Sequence, residues 1–350
     1  MKSILSIDGG GIRGIIPLKV LEYIEGKTNK PIHELFDVIG GTSTGGIIAL
    51  GLNSKSSDTE AIYSAKDLLK FYTEDADKIF QEASREYIEL EEAVQPDDKV
   101  GDPGWWNSTY SSKGIEKYLK DKFGSDTKMS KLQPKPDVSV FSYDIQNDCP
   151  YYFNSKKARE NPIDDYCVWQ AGRATSAAPT FFPAAKFSSE PNLPLFVDGG
   201  VYINNPALAL LIQAKDLYPD EQNFLLVSLG TGSSKVSRAY LENAGAIPWL
   251  AGNFLKREHP AGALLEVMMK GASETIHRQL QELVSGNSNS GLKIPSLNQY
   301  ERYQKELQEN IAMDDTSCET ITKLVNFGDA LVNEKKNELN ELCDVLGKIE

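Results

Sequence analysis

Along the first 52 residues the apolar positions fall into a repeating arrangement. Ser3–Asp8 reads as a short buried strand, and Gly14 to about Glu25 reads as a helix with Ile15, Leu18, Leu21, Tyr23 and Ile24 on or near one side. Leu35–Gly40 (LFDVIG) is a second buried-strand pattern, and it passes through GTSTGG into the apolar run Ile47–Leu52. Two strand–loop–helix units in succession predict an α/β sheet with helices on its faces.

Ala61–Phe80 reads as a helix. Gln81–Gly104 then loses its period, turns acidic and carries Pro96, Gly101 and Pro103, which predicts an excursion or loop. Lys113–Phe123 resumes as an amphipathic helix. Asp137–Ile145 and Tyr151–Phe153 read as two strands joined by a turn at Asn147–Pro150, and Val168–Ala177 as a helix closed by Pro179. Leu193–Gly200 predicts a strand that ends in glycines. Pro206 starts a helix running to about Tyr218, proline being well accommodated in a first helical turn. Asn223–Gly232 is a strongly apolar strand with a glycine-rich exit. Beyond it the pattern is mainly helical, with a polar loop at Ser285–Gly291. No internal repeat or linker stands out, so the expectation is one domain over residues 1–350, with a core of about 3–235 and a mainly helical portion over 236–350.

Charge narrows the partners. The 350 residues carry a formal net charge of −13, which disfavours nucleic acid and anionic lipid as partners for a generally basic surface. Any membrane contact has to be local and partly apolar. One candidate is Trp105-Trp106 with Tyr110, ahead of the helix bearing Lys113, Lys117, Lys120 and Lys122; the plainer reading makes the tryptophans a cover for the core and the lysines a solvated helix face. Cys149, Cys167, Cys318 and Cys343 are scattered, without the spacing of a disulfide framework or zinc site, which suits a reducing compartment. With no signal-peptide pattern and no apolar run near the roughly 20 residues of a membrane span, the expected location is cytoplasmic.

The chemistry sits at the strand ends. Gly41-Thr42-Ser43-Thr44-Gly45 is a G-x-S-x-G sequence between a predicted strand and a predicted helix, the context a nucleophile elbow needs. Five such letters alone are more often structural. Serine needs a base, and the chain has three histidines. His33 precedes the serine in a stretch that reads as a surface loop, and His277 in SETIHRQL follows Asp198 in the Ser, Asp, His order but has the surroundings of an ordinary helix residue. The third is His259. Asp198, at the end of a buried strand and followed by Gly199 and Gly200, stands where open α/β sheets gather functional groups; Asp-Gly-Gly is also an ordinary turn signal.

Gly9, Gly11 and Gly14 match the G-x-G-x-x-G spacing of a dinucleotide site. That reading needs an acidic residue at the end of the second strand. Asp37 begins that strand instead, the elbow occupies the ribose position, and Asp8 places a negative charge beside the loop. The alternative is an oxyanion hole, because consecutive glycines expose successive N–H groups in one concave turn. Arg13 adds a nearby positive charge.

DGGGIRG at Asp8–Gly14, GTSTGG at Gly41–Gly46 and DGG at Asp198–Gly200 resemble the three signature blocks of the patatin-like phospholipases, in the same order. The resemblance continues in APTFFP (Ala178–Pro183), LLVSLGTG (Leu225–Gly232) and MDDTS (Met313–Ser317), and so covers nearly the whole chain. It implies a three-layer α/β fold with a central, mostly parallel sheet flanked by helices, and a lipid acyl hydrolase acting on phospholipids or galactolipids at a membrane surface. It implies a dyad with Ser43 as nucleophile and Asp198 as base, an oxyanion hole from Gly9, Gly10 and Gly11 supported by Arg13, and turn glycines at Gly41, Gly45, Gly199 and Gly200. No metal or cofactor is called for; the acidic clusters lack an EF-hand pattern. A carboxylate titrating near 4 is a poor base at neutral pH, so the site is expected to be partly desolvated or to transfer the proton late. The acidic stretch around Glu91–Pro103 has no counterpart in the resemblance, and patatin's storage role and secretory signal do not carry over. Two other readings fit the same residues: a storage or binding protein with residual esterase activity, and a phospholipase effector switched on by a cyclic nucleotide or a host factor.

Overall fold

The computed structural model describes residues 1–56, 62–80, 108–188, 193–233, 242, 249, 263–285 and 297–349. Among these, seven strands make one sheet: β1 (Lys2–Ile7), β2 (Val38–Thr42), β3 (Asp137–Asp144), β4 (Cys149–Asn154), β5 (Phe196–Asp198), β6 (Phe224–Leu229) and β7 (Leu297–Tyr303). The order is β4-β3-β2-β1-β6-β7, with β5 also paired to β3. Neighbours from β3 through to β7 are parallel, whereas β4 and β5 run antiparallel to β3.

Alternation along the central strands divides the core in two, since successive side chains point to opposite faces. Leu5 and Ile7 of β1, Ile39 of β2 and Leu225, Val227 and Leu229 of β6 face one layer of helices. That layer holds α1 (Ile15–Thr28), α2 (Thr44–Gly51), α3 (Ala65–Thr73), α4 (Ser112–Phe123), α5 (Val168–Thr175), α8 (Cys318–Glu334) and α9 (Lys336–Leu346). Ile4, Val38, Phe224 and Leu226 face the other layer, formed by α6 (Ala207–Leu217) and α7 (Ala263–Ser285). The expected three-layer α/β architecture is therefore present. Helix α2 is buried at every position, as its glycine- and isoleucine-rich sequence TGGIIALG requires.

Several elements differ from the periodicity reading. The helix expected over Ala61–Phe80 is α3 followed by a separate turn, Ala76–Ile79. Ser64 starts α3 with a capping box to Asp67, and at the break Asp75 is drawn aside to the Tyr118 hydroxyl and the Lys122 ammonium. The strand at Leu193–Gly200 contracts to the three residues of β5. The region after β6 is mainly helical among the described residues, yet it also supplies β7, which lies parallel to β6 at the sheet's edge. Its sequence LNQYERY alternates poorly because Arg302 is drawn to a buried partner within the sheet. Trp105, Trp106, His259, the stretch 81–104 and residues 286–291 lie outside the described residues.

Candidate active site

Strand β3 is the template that brings the site together. β2 lies parallel along one edge of β3 and ends with Thr42 opposite Phe141. β5 runs antiparallel and ends with Asp198 opposite Ser142, the next residue of β3. The other edge of β3 is occupied by β4 at these positions, so β2 and β5 share an edge and point at one another. Their C-terminal ends meet at Ser43 and Asp198.

Ser43 begins helix α2 in a conformation that side chains seldom adopt, φ 56° and ψ −126°, which typically costs about 1–3 kcal/mol and concentrates at functional sites. The turn is tight on both sides. A Cβ on Gly41 would lie 2.2 Å from the Gly45 backbone, and one on Gly45 would lie 2.2 Å from the Ile7 carbonyl oxygen, so both contacts are against atoms that cannot yield. The Ser43 N–H donates to Thr175 Oγ1 at 2.8 Å, and that hydroxyl donates to the Phe141 carbonyl at 2.6 Å. Thr175 thereby ties the elbow to β3.

Asp198 is 2% exposed. Its Oδ1 accepts the Gly200 N–H at 2.7 Å, and the Ser43 hydroxyl lies close enough to favour its ionised form. Among the described residues no cation offsets its burial, and the carboxyl is pushed up from 3.8 to about 7, chiefly by desolvation. Gly199 fits only because it has no side chain, since a Cβ there would stand 2.6 Å from the Phe141 carbonyl oxygen.

Ser43 and Asp198 open into a cleft of about 660 Å³ whose walls include Ile47, Phe80, Phe181, Phe182, Leu265 and Met269. The wall is apolar almost throughout. Tyr110 supports it from behind through ring contacts with Phe80, Phe181 and Phe182, and bonds Asp314 at 2.8 Å. Tyr110 is therefore a buried prop and not part of the interfacial contact first considered. Of the lysines on α4, Lys122 pairs with Asp75 at 3.3 Å and Lys120 sits over the Trp169 ring at 4.0 Å, which favours the structural reading for these two.

The glycine loop lies between this cleft and a second, polar cavity of about 530 Å³. Its three amides differ. The Gly9 N–H is bonded to the Asn204 carbonyl at 3.1 Å, so Gly9 is not a free donor, contrary to the sequence-based expectation. Its lack of a side chain still matters, because a Cβ would meet Ser43 Cβ at 3.1 Å and Asn204 Oδ1 at 2.4 Å. The Gly10 and Gly11 N–H groups have no protein acceptor among the described residues, and Gly11 lines the Ser43 cleft. Gly11 also has φ 58° and lies against the Met313 carbonyl, which in turn accepts the Ile12 N–H at 2.8 Å. Arg13 lines the polar cavity and not the Ser43 cleft; its Nε donates to the Gly10 carbonyl at 3.4 Å. It props the loop from behind.

Asp8 is held by Arg302 of β7 through contacts of 2.8 and 2.6 Å, so its charge is matched rather than presented to the loop. Asp37 lies at the other end of the strands, bonded to Lys2, Lys135 and the Ser3 N–H, far in register from any ligand on the glycine loop. His277 faces β7, with Nδ1 3.0 Å from the Tyr300 hydroxyl, and contributes nothing to the cleft wall. His33 is half-buried in a helical turn, Ile32–Leu35, not in a surface loop. Sequence reading missed Thr175, Asn204 and Arg302. Each acts on a residue more than 100 positions away, a relation without a local signal.

A family model described as patatin-like phospholipase matches residues 5–211, a span holding the second half of β1, the glycine loop, the elbow and Asp198. The chain belongs to the patatin-like phospholipase family. Membership brings lipid acyl hydrolysis as the general chemistry of the fold. Patatin-like protein 2 of Oryza sativa subsp. indica is 28% identical over 99% of this chain and 89% of its own length. Patatin-like protein 2 of Arabidopsis thaliana is 31% identical over 71% of this chain and 65% of its own. A Solanum tuberosum relative named probable inactive patatin-3-Kuras 1 is 27% identical over 97% of this chain and 88% of its own. The relatives thus include one whose name describes it as probably inactive.

Proposed function

We propose that this protein hydrolyses fatty-acyl esters of phospholipids or galactolipids, without calcium, through a Ser43–Asp198 dyad. The observation that carries the reading is the setting of Asp198: a buried carboxyl with no cation against it among the described residues, pushed up to about 7, beside the hydroxyl of a strained serine in an apolar cleft. A base is most effective when its pKa lies near the working pH, and burial, partly offset by the hydrogen bonds from Ser43 and the Gly200 N–H, produces that match here.

In the proposed reaction the acyl chain lies along the apolar wall and presents its ester carbonyl to Ser43. Asp198 takes the hydroxyl proton as Oγ attacks, and the N–H groups of Gly10 and Gly11 receive the oxyanion, assisted by the N-terminal end of α2. Collapse of the tetrahedral intermediate expels the lyso-lipid alkoxide, which takes the proton from Asp198. Water then attacks the acyl-serine as Asp198 accepts its proton, and collapse of the second tetrahedral intermediate expels Ser43 Oγ, which takes that proton back from Asp198 as the fatty acid leaves. Fixed amides of this kind are each worth about 3 kcal/mol in the transition state.

The test is fatty-acid release from phosphatidylcholine vesicles in the presence of a calcium chelator. Ser43→Ala and Asp198→Ala are expected to be inactive while remaining folded, and His277→Ala to match wild type. Equal rates in all four proteins, or a wild type active only when calcium is restored, overturn the proposal.

A further inference from the structure

Helix α7 has one face on the cleft. Leu265 and Met269 line it, and Ser273 and Leu280 continue the buried stripe toward the C-terminus of the helix. Along that later part the outward face is polar, with Thr275, Arg278, Gln279 and Glu282 exposed. In the first turns the outward face is apolar: Leu264, Val267 and Met268 are 40%, 39% and 46% exposed. Positions three and four apart share a face, so the three side chains form one strip. Single exposed apolar residues are ordinary, whereas a cluster marks a contact surface. The change from polar to apolar occurs on the turns whose inner side chains wall the cleft.

We propose that Leu264, Val267 and Met268 dock the protein on an electrically neutral lipid bilayer, entering the boundary between headgroups and acyl chains beside the cleft. The proposal rests on the lipid-hydrolase reading above. Continuity selects the bilayer as occupant, because Leu265 and Met269 bridge the strip to the cleft holding Ser43, and an acyl chain leaving the bilayer meets apolar surface along that route. Charge selects the kind of bilayer. A chain of net charge −13 is repelled by anionic surfaces, so the contact is made by apolar insertion, which salt screens little.

The experiment uses the full chain and phosphatidylcholine vesicles, comparing wild type with the triple variant Leu264→Gln, Val267→Gln, Met268→Gln. Wild type is expected to float with the vesicles, equally at low salt and at about 1 M salt. The triple variant is expected to lose flotation and to hydrolyse vesicle lipid about 30-fold more slowly, while cleaving soluble p-nitrophenyl butyrate at the wild-type rate. Undiminished flotation of the variant overturns the proposal, as does a wild-type dimer in solution that the three substitutions dissociate, since the strip then covers a second copy. If neither protein cleaves the soluble ester, the hydrolase reading fails, and flotation still decides the docking surface.

Discussion

Replacing Asp198 with asparagine removes the proposed base and also removes a buried charge, and the two consequences are separable. The carboxyl is 2% exposed and its pKa rises from 3.8 to about 7 on folding. Between those values the folded protein keeps a proton that the unfolded chain has released, so folding becomes less favourable as the pH rises. The penalty grows through that window and levels off above about 7, at about 4 kcal/mol. Asparagine carries no such penalty, and its Oδ1 still accepts the Gly200 N–H now bonded at 2.7 Å. The stability difference between Asp198→Asn and wild type is therefore expected to grow in favour of the variant by about 2 kcal/mol from about pH 5.5 to about pH 8. Urea unfolding of both proteins at the two pH values measures it, and taking the change with pH cancels any fixed effect of the substitution on packing. A difference that is flat with pH, or that moves against the variant, refutes the claim that Asp198 is a desolvated, unpaired carboxyl.

The same titration governs catalysis: kcat/KM on a soluble ester should rise with pH along one ionisation near 7 and then level off, as a pH–rate profile would show. Thr175→Val keeps the shape but leaves the Ser43 N–H and the Phe141 carbonyl without their present partner, and should destabilise by about 1–3 kcal/mol in denaturant melts and lower kcat more than it raises KM. Arg302→Met strands Asp8 in the interior and should cost about 3–5 kcal/mol at neutral pH, a loss that shrinks as the pH falls and Asp8 takes up a proton.

What could be read from residues alone was the local part of this design. Glycines that punctuate apolar runs located β1, β2 and α2, and the letters around Ser43 and Asp198 named both residues that the structure brings together at the ends of β2 and β5. Their meeting was legible only through the family resemblance and not from the local pattern, because it depends on β5 reversing direction on the edge of β3 that β2 vacates after Thr42. Strand β7 escaped because Arg302 departs from the apolar pattern to reach Asp8, some 290 residues earlier. The loop's glycines read from sequence as a set of donors, but the Asn204 carbonyl takes the Gly9 N–H, and among the described residues only Gly10 and Gly11 keep theirs without a protein acceptor. Arg13 stands beside the glycines in sequence as a charge near the reaction, whereas the fold turns it to the polar side of the loop. Tyr110 groups with Trp105 and Trp106 in sequence but packs in the fold with Phe181 and Phe182.

The central claim is that Ser43 is a nucleophile activated by Asp198, and covalent labelling tests it most directly. Incubating the protein with an alkyl fluorophosphonate and mapping the adduct by mass spectrometry should place it on Ser43, with no labelling of Ser43→Ala and a rate that falls sharply in Asp198→Asn but not in His277→Ala. An adduct elsewhere, or labelling of Ser43 at the wild-type rate in Asp198→Asn, would contradict the account.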